Sequence, residues 1–299
     1  MANDEPFVSI GLPVFNGDAY LKLALDSLVA QTYRNFEIVV SDNGSTDGTG
    51  EICKAYSDKH ELIRSYRYEE NRGIAWNRNN SFHLSKGEYF MWFSHDDVLH
   101  EEYLEKCMAE IQVRQNTCIV YSKIRVIDAD GETIPFNEDL ADLNTDNVVS
   151  RFKVCLSSQP YNQSVIYGLM RRSDMASTRL HGDYLAADRC LVAQLSLKGK
   201  MYQIPEYLFY RRKHADNFPG GIEAMAVYQP GVEFKFVFKE WNVLKEHLRT
   251  VGLFDAPIGI KLRLYIAVAS WFLSQPKRLA FEVLSNSKKA FVLLFRKVF

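Results

Sequence analysis

The sequence predicts an α/β fold with a mostly parallel sheet, and three observations carry that prediction. Short apolar runs of strand length at about 7–14, 36–41, 62–68 and 88–93 alternate with helix-like stretches at about 18–31, 47–59 and 73–85, the order of repeated βαβ units. Three of the runs stop abruptly in polar clusters: VSIGLPVFNG (Val8–Gly17), FEIVVSDNGSTDGT (Phe36–Thr49) and GEYFMWFSHDDVLH (Gly87–His100). The 299 residues, 47% hydrophobic and 24% charged, suffice for one large core or two modest ones.

The later elements follow the same reasoning. A helix is expected near 101–114, opened by Glu101 and Glu102, then β-rich runs at 117–128 and 164–171 with a loop or edge over 130–146. A helix at 184–198 ends in Lys198-Gly199-Lys200, where Gly199 is a natural C-cap. The run Met201–Arg212 reads as a strand and leads into the Pro- and Gly-rich loop HADNFPGG. Beyond about residue 230 the pattern turns helical, with an apolar stretch at 262–274 and a further helix at 276–297.

Charge narrows the function classes. Residues 261–299 hold eight basic side chains against the single acid Glu282, leaving 28 basic and 36 acidic residues in 1–260, a net of −8. An acidic body lacks the basic stripe of a nucleic-acid binder, and a basic tail on it points to a surface contact. The five cysteines form no C-x-x-C pair and read as buried, reduced thiols of a cytosolic protein. MANDEPFVSI shows no signal-peptide pattern, so the sequons at Asn43, Asn79 and Asn162 read as chance.

Open α/β sheets bind ligands at strand ends, so the three polar clusters are expected to converge on one crevice. Ser94-His95-Asp96-Asp97 follows the strand YFMWF. Magnesium or manganese is held by one or two carboxylates plus substrate phosphates, so Asp96 and Asp97 suit a metal–diphosphate site, although a turn or helix N-cap uses the same residues. The loop SDNGSTDGT superficially echoes a calcium loop, but the twelfth position from Asp42 is Cys53, where that loop needs a bidentate Glu. Helix capping accounts for Ser45 to Asp47 and not for Asp42.

Together with NRGIAWNRNNSFHLSKGEY (Asn71–Tyr89), the three segments in their order and spacing resemble the nucleotide-binding half of a family 2 glycosyltransferase of the GT-A fold, over roughly residues 6–215. The resemblance implies a GT-A domain at 1–215, with a donor-nucleotide half at about 6–100 and an acceptor half at 101–215, and a helical extension at 216–299. It implies that Pro13, Val14 and Asn16 frame the nucleotide and that Asp42 accepts an N–H of the base. Asn71, Arg72 and Gly73 would line the ribose and diphosphate, above an Arg78-Asn79 pair. Asp96 matches the last acid of the family's Asp-x-Asp element, with Ser94 where the first Asp is usual. His214 falls where related enzymes place a group near the diphosphate and completes the metal set of Asp96, Asp97 and His214.

In LHGDYLAADRCLVAQLSLKGK (Leu180–Lys200), Asp188 resembles the family's catalytic base and Asp183 reads as an ordinary helix-start acid. Trp92, Tyr184, Tyr207 and Tyr210 could stack on sugar rings, although aromatics in strand patterns usually fill the core. The function implied is metal-dependent, inverting transfer of a sugar from a nucleoside-diphosphate donor, UDP favoured over dTDP or GDP, to a glycan or glycolipid hydroxyl in polysaccharide or glycoconjugate assembly. A nucleotidyltransferase or a non-catalytic binding module are the alternatives; PVFNG lacks the Lys or Arg a triphosphate loop uses. The segment 261–299 is too short in its apolar runs to span a bilayer. It reads either as interfacial helices at the inner face of a membrane or as helices packed on the domain, and the reading leaves room for a homo-oligomer.

Overall fold

The computed structural model describes residues 6–136, 143–156, 165–215, 229–230 and 238–286. Eight strands form one sheet: β1 (Val8–Val14), β2 (Phe36–Asp42), β3 (Ile63–Arg67), β4 (Tyr89–Trp92), β5 (Val98–Leu99), β6 (Thr117–Ile127), β7 (Leu169–Arg171) and β8 (Lys200–Arg212), in the order β3-β2-β1-β4-β7-β6-β8-β5. The first four are parallel to one another, β7 runs antiparallel between β4 and β6, and β6 and β8 are parallel. Because β2 and β3 lie on one side of β1 and β4 on the other, the order reverses at β1, and its carboxyl end opens the crevice where such sheets take ligands.

The period of two along the strands sorts side chains between two cores. Val8, Ile10, Leu12 and Val14 of β1 and Tyr89 and Met91 of β4 join Phe93 on one face. There they meet α1 (Asp18–Val29), α2 (Thr49–Lys59) and α4 (Tyr103–Val113) through Leu21, Leu25, Cys53, Leu104 and Met108. Phe90 and Trp92 face the other way, into a core with α3 (Ile74–His83), α5 (Val148–Leu156) and α7 (Ala187–Ser196). A short helix α6 (Arg172–Ala176) follows β7. Gly11 lets α3 close on β1, since an added Cβ would lie 2.7 Å from both Phe90 and Ser81. The second core also takes Val243 and Val251 of α8 (Lys239–Leu253) and Leu264, Ala267, Val268 and Trp271 of α9 (Ile258–Leu273), so these helices share packing with α5 and α7.

Several boundaries differ from the expectation for local reasons. The β-rich run at 164–171 is strand only at Leu169–Arg171, after a turn through Gly168. The helix expected from 184 starts at Ala187, because Ala186 takes a left-handed φ of 66° that ends regular geometry there. Gly199 is not a left-handed cap. It is glycine because a Cβ would sit 2.7 Å from the Asn116 carbonyl oxygen, where α7 returns to β6. All five cysteines are buried thiols. Asn162, most of HADNFPGG and residues 287–297 of the last expected helix lie outside the described residues.

Candidate active site

The loops after β1 and β2 are joined by side chains reaching backbone N–H groups. Asn16, at a φ of 50°, donates its N–H to Ser45 Oγ at 2.9 Å, and its Oδ1 accepts from the Thr46 N–H at 2.9 Å. Gly17 N–H donates to Thr49 Oγ1 at 2.8 Å, and Asp18 and Asp47 exchange contacts with the Gly48 and Asp18 N–H groups, each at 3.2 Å. Ser45 to Asp47 therefore stitch two loops, and α2 starts at Thr49, its N-cap Gly48 offering no side chain while Asp47 Oδ1 accepts the Thr49 N–H at 3.1 Å. The third loop lies alongside: a Cβ on Gly17 would lie 2.4 Å from the His95 ring. The expected convergence of the three polar clusters is present.

Asn43, which sequence reading passed over as a chance sequon, is the buried hub of the floor. Its Nδ2 donates to Asn71 Oδ1 at 2.8 Å and to the Gly73 carbonyl at 3.2 Å, while its Oδ1 accepts from the Arg72 N–H at 3.1 Å. Gly73 has a φ of 88°, open to glycine alone at little cost, and Asn71 Oδ1 caps its N–H at 2.9 Å. Arg72 lies over the Trp76 ring, 4.8 Å from its centroid. Val14 buries its side chain in the core, and its carbonyl accepts from Asn43 N–H and Asn77 Nδ2; Pro13 is partly exposed beside it.

Asp42 ends β2 fully buried. Its Oδ1 accepts from the Ser45 N–H at 3.0 Å, but Oδ2 has no hydrogen-bond partner and lies 3.5 Å from Nε of the half-exposed Arg67. A buried acceptor left unmatched costs about 1–3 kcal/mol, which a ligand N–H would recover.

Asp96 is held between two partners: Ser94 Oγ donates to Oδ1, and His214 Nε2 lies 3.1 Å from Oδ2. Burial opposes its ionisation, but His95 and the hydrogen bonds from Ser94 and His214 outweigh it and keep the carboxyl below its usual range. His214 packs on Tyr20 with ring centroids 4.7 Å apart. Asp97, expected beside it in the metal set, is tied to the framework through one oxygen. Its Oδ1 accepts the Arg212 N–H at 2.9 Å, and burial together with the charge of Asp96 pushes its carboxyl well above the usual range. Arg212, another residue the sequence did not single out, donates to the carbonyls of Asp96, Asp128 and Ala129 and fixes this loop to the end of β8. Among the described residues no three His, Cys, Asp or Glu side chains gather as a metal cluster. A cation here would have to complete its shell with substrate oxygens, which is the usual arrangement for magnesium.

Arg78, expected beside the donor nucleotide, donates from Nη2 to Tyr167 OH at 3.0 Å. Asn79 clasps the His181 backbone, donating to its carbonyl at 2.9 Å and accepting its N–H at 3.0 Å. His181 is buried, and burial plus Arg78 hold its imidazole well below the usual range. Asp188 stands in the first turn of α7, half-buried, and no described residue donates a hydrogen bond to it. Asp183 is exposed and accepts from Gln229 Nε2 at 3.1 Å. Of the non-glycine residues with positive φ, Asn16, Leu180 and Ala186 all sit in loops of this region, the usual location of backbone strain held for function. Trp92 is core, its Nε1 donating to the Arg78 carbonyl, and Tyr207 lies outward on β8, 46% exposed.

The model of the family described as "Glycosyl transferase family 2" matches residues 9–171, the span that holds β1 to β7. The chain belongs to glycosyl transferase family 2. It is 37% identical over 165 residues to an uncharacterized glycosyltransferase of Rickettsia typhi, a match covering 55% of this chain and 49% of that protein. The chain thus spans about half the length of the relative it matches. Its fold is similar to S. aureus TarS 1-349 in complex with UDP-GlcNAc, with a TM-score of 0.68 at 18% identity over 92% of this chain and 75% of that one. It is also similar to a Pyrobaculum calidifontis mannosyltransferase in complex with GDP-Man and Mn2+, with a TM-score of 0.58 at 16% identity over 99% and 81%. These likenesses establish the GT-A architecture of this family 2 member.

Proposed function

We propose that the protein transfers a sugar from a nucleoside-diphosphate sugar to a hydroxyl of a glycan or glycolipid, with inversion at the anomeric carbon. The observation that carries the reading is Asp42: a fully buried carboxylate at the end of β2 with one oxygen unmatched. An ionised carboxylate only accepts, so it selects a ligand N–H such as the imide of uracil, reached when Arg67 moves aside. Pro13 and Asn16 flank the base, and the Asn71–Gly73 turn, shaped by Asn43, meets the ribose and diphosphate. Uridine is favoured; thymidine and guanosine also present a ring N–H. The UDP-GlcNAc and GDP-Man bound by the two similar folds support a donor of this class.

Asp96, with His214 beside it, is the group suited to hold magnesium or manganese together with the donor diphosphate, and Asp97 stays a framework residue. A bound divalent cation supplies positive charge against the leaving diphosphate. The Mn2+ named with the Pyrobaculum enzyme supports that choice of ion. Asp188, without a hydrogen bond from any described residue, is free to take the proton of the attacking hydroxyl, and the Asn79–His181 clasp holds the loop that leads to it.

Calorimetric titration with UDP, GDP and dTDP, with and without Mn2+, tests this reading. UDP is expected to bind, and Asp42→Ala to weaken it by about tenfold or more, since a hydrogen bond to a buried charged group contributes about 1.5–3 kcal/mol. Unchanged affinity in Asp42→Ala removes Asp42 from the base site, and no binding of any nucleotide sinks the donor assignment.

A further inference from the structure

Helix α9 is apolar on both sides, and among the described residues only one side is covered. Leu264, Ala267, Val268 and Trp271 are buried in the second core. The opposite side exposes Ile258, Leu262, Ile266 and Leu273 at 83, 59, 58 and 74%. At about 100° per residue these four fall within an arc of about 80°, with Lys261 and Arg263 each about 100° from its centre, one to either side. Past α9, Lys277 and Arg278 open a helical stretch over 276–286 that exposes Phe281 and Leu284 at 72 and 62%. No acid lies between Asp255 and Glu282, and Glu282 accepts the Glu240 N–H at 2.9 Å. Scattered exposed apolar residues are ordinary, but a continuous outward stripe on a helix that already has its inward packing is not.

We propose that this outward face seats the protein on an anionic lipid surface, with α9 lying in the plane of the interface. The apolar stripe enters the headgroup boundary; Arg263 extends its stem sideways along it to the lipid phosphates, and Lys261 does so on leaving the exposed Gly252 carbonyl, to which its Nζ donates at 3.2 Å. No described helix is long and apolar enough to cross a membrane, so the contact is one of lying on the surface. Charge favours lipid over a second copy of the chain. A twofold contact through this face would bring the same cations together without a carboxylate to pair them, whereas an anionic leaflet supplies the missing charge. The net −8 of residues 1–260 adds direction, holding the body away from the surface that draws the helix down. This placement brings a soluble donor and a membrane-borne acceptor to one site, and it does not depend on which residue of that site is the base.

Flotation of the full chain with vesicles of phosphatidylcholine alone and of phosphatidylcholine mixed with phosphatidylglycerol tests the proposal. Wild type is expected to float with the mixed vesicles only and to be released by salt. Leu262→Glu/Ile266→Glu is expected to cut the bound fraction at least tenfold without changing the melting temperature, because both side chains face outward. Lys261→Gln/Arg263→Gln, which leaves the apolar stripe intact, is expected to reduce binding to mixed vesicles several-fold. Equal flotation of wild type and Leu262→Glu/Ile266→Glu overturns the proposal. So does a wild type that stays off anionic vesicles, including one that forms a dimer by light scattering that the same double variant disrupts.

Discussion

The two parts of the molecule that the proposal assigns to donor and acceptor are fixed in different ways. On the donor side, the loops after β1 and β2 and the Asn71–Gly73 turn are tied to one another by short side-chain bonds to backbone groups, with Asn16, Asn43, Asp47 and Thr49 as the knots. On the acceptor side, the segment from Leu180 to Asp188 is held near its start by the Asn79 clasp and by Arg179 on Glu246, while Asp188 itself has no hydrogen bond from a described residue. The family match follows the same division, ending at residue 171 before that segment begins. If the first part holds the donor, as proposed above, its preformed loops lower the cost of ordering a flexible nucleotide.

The largest effect expected from breaking this contrast is at Asp188. Asp188→Asn keeps the size of the side chain but cannot take a proton, so turnover should fall by about 10²–10⁴, the usual share of a general base, while nucleotide affinity stays unchanged. Asp183→Asn should do far less, because Asp183 is exposed and faces Gln229. Normal turnover in Asp188→Asn with an authentic acceptor, and loss of it in Asp183→Asn, would move the base one loop back.

The donor side should respond to Asn43→Ala, which removes three hydrogen bonds at once and leaves the Arg72 N–H and Asn71 Oδ1 short of a partner. The expected loss is about 2 kcal/mol in urea unfolding, together with weaker nucleoside-diphosphate binding as the Asn71–Gly73 turn loosens. If stability falls and nucleotide affinity does not, the turn is a framework element only, and the donor floor is less preformed than its hydrogen bonds suggest.

The sequence made the strands legible because burial on both faces of a parallel sheet leaves near-continuous apolar runs, and β1, β2 and β4 fall within a residue or two of expectation. Asp42 and Asp96 stood out in the sequence because a carboxylate at or just past the end of such a run has no obvious structural use, and their roles rest on the proposal above. Asn43 was not, since its partners lie 28 to 30 residues away and its amide looks locally like any turn asparagine. Arg212 was hidden for a similar reason, its carbonyl partners being more than 80 residues distant. For Asp97 the sequence could not show that its Oδ1 accepts from the β8 backbone. Gly199 and Ala186 mark the remaining limit, since close approach to another strand and a left-handed residue at a helix start depend on tertiary packing.

The smallest effect concerns pH and the second core alone. His247 of α8 is buried between Phe152 and Trp271, ring centroids 6.0 and 5.2 Å away, and its Nδ1 has no hydrogen-bond partner. Burial, with the charges of Arg189 and Arg179, lowers its imidazole to about 3. The unfolded chain, with a pKa of about 6.5, binds a proton that the folded chain refuses, so stability falls as pH drops through 6.5 toward 3, by up to about 1.4 kcal/mol per unit. His247→Phe fits the aromatic surroundings and removes the titration. Between pH 7.5 and 5.5, wild type should therefore lose about 1.4 kcal/mol more than the variant in urea unfolding. Hydrogen exchange sharpens the comparison, because at pH 5.5 the amides of α8 and α9 in wild type should lose protection while those of β1 and β2 keep theirs. Equal pH slopes in the two proteins would mean that His247 stays neutral in the unfolded state as well, or that the second core opens to admit the proton before the chain unfolds. Exchange distinguishes these, since only the second exposes α8 ahead of global unfolding.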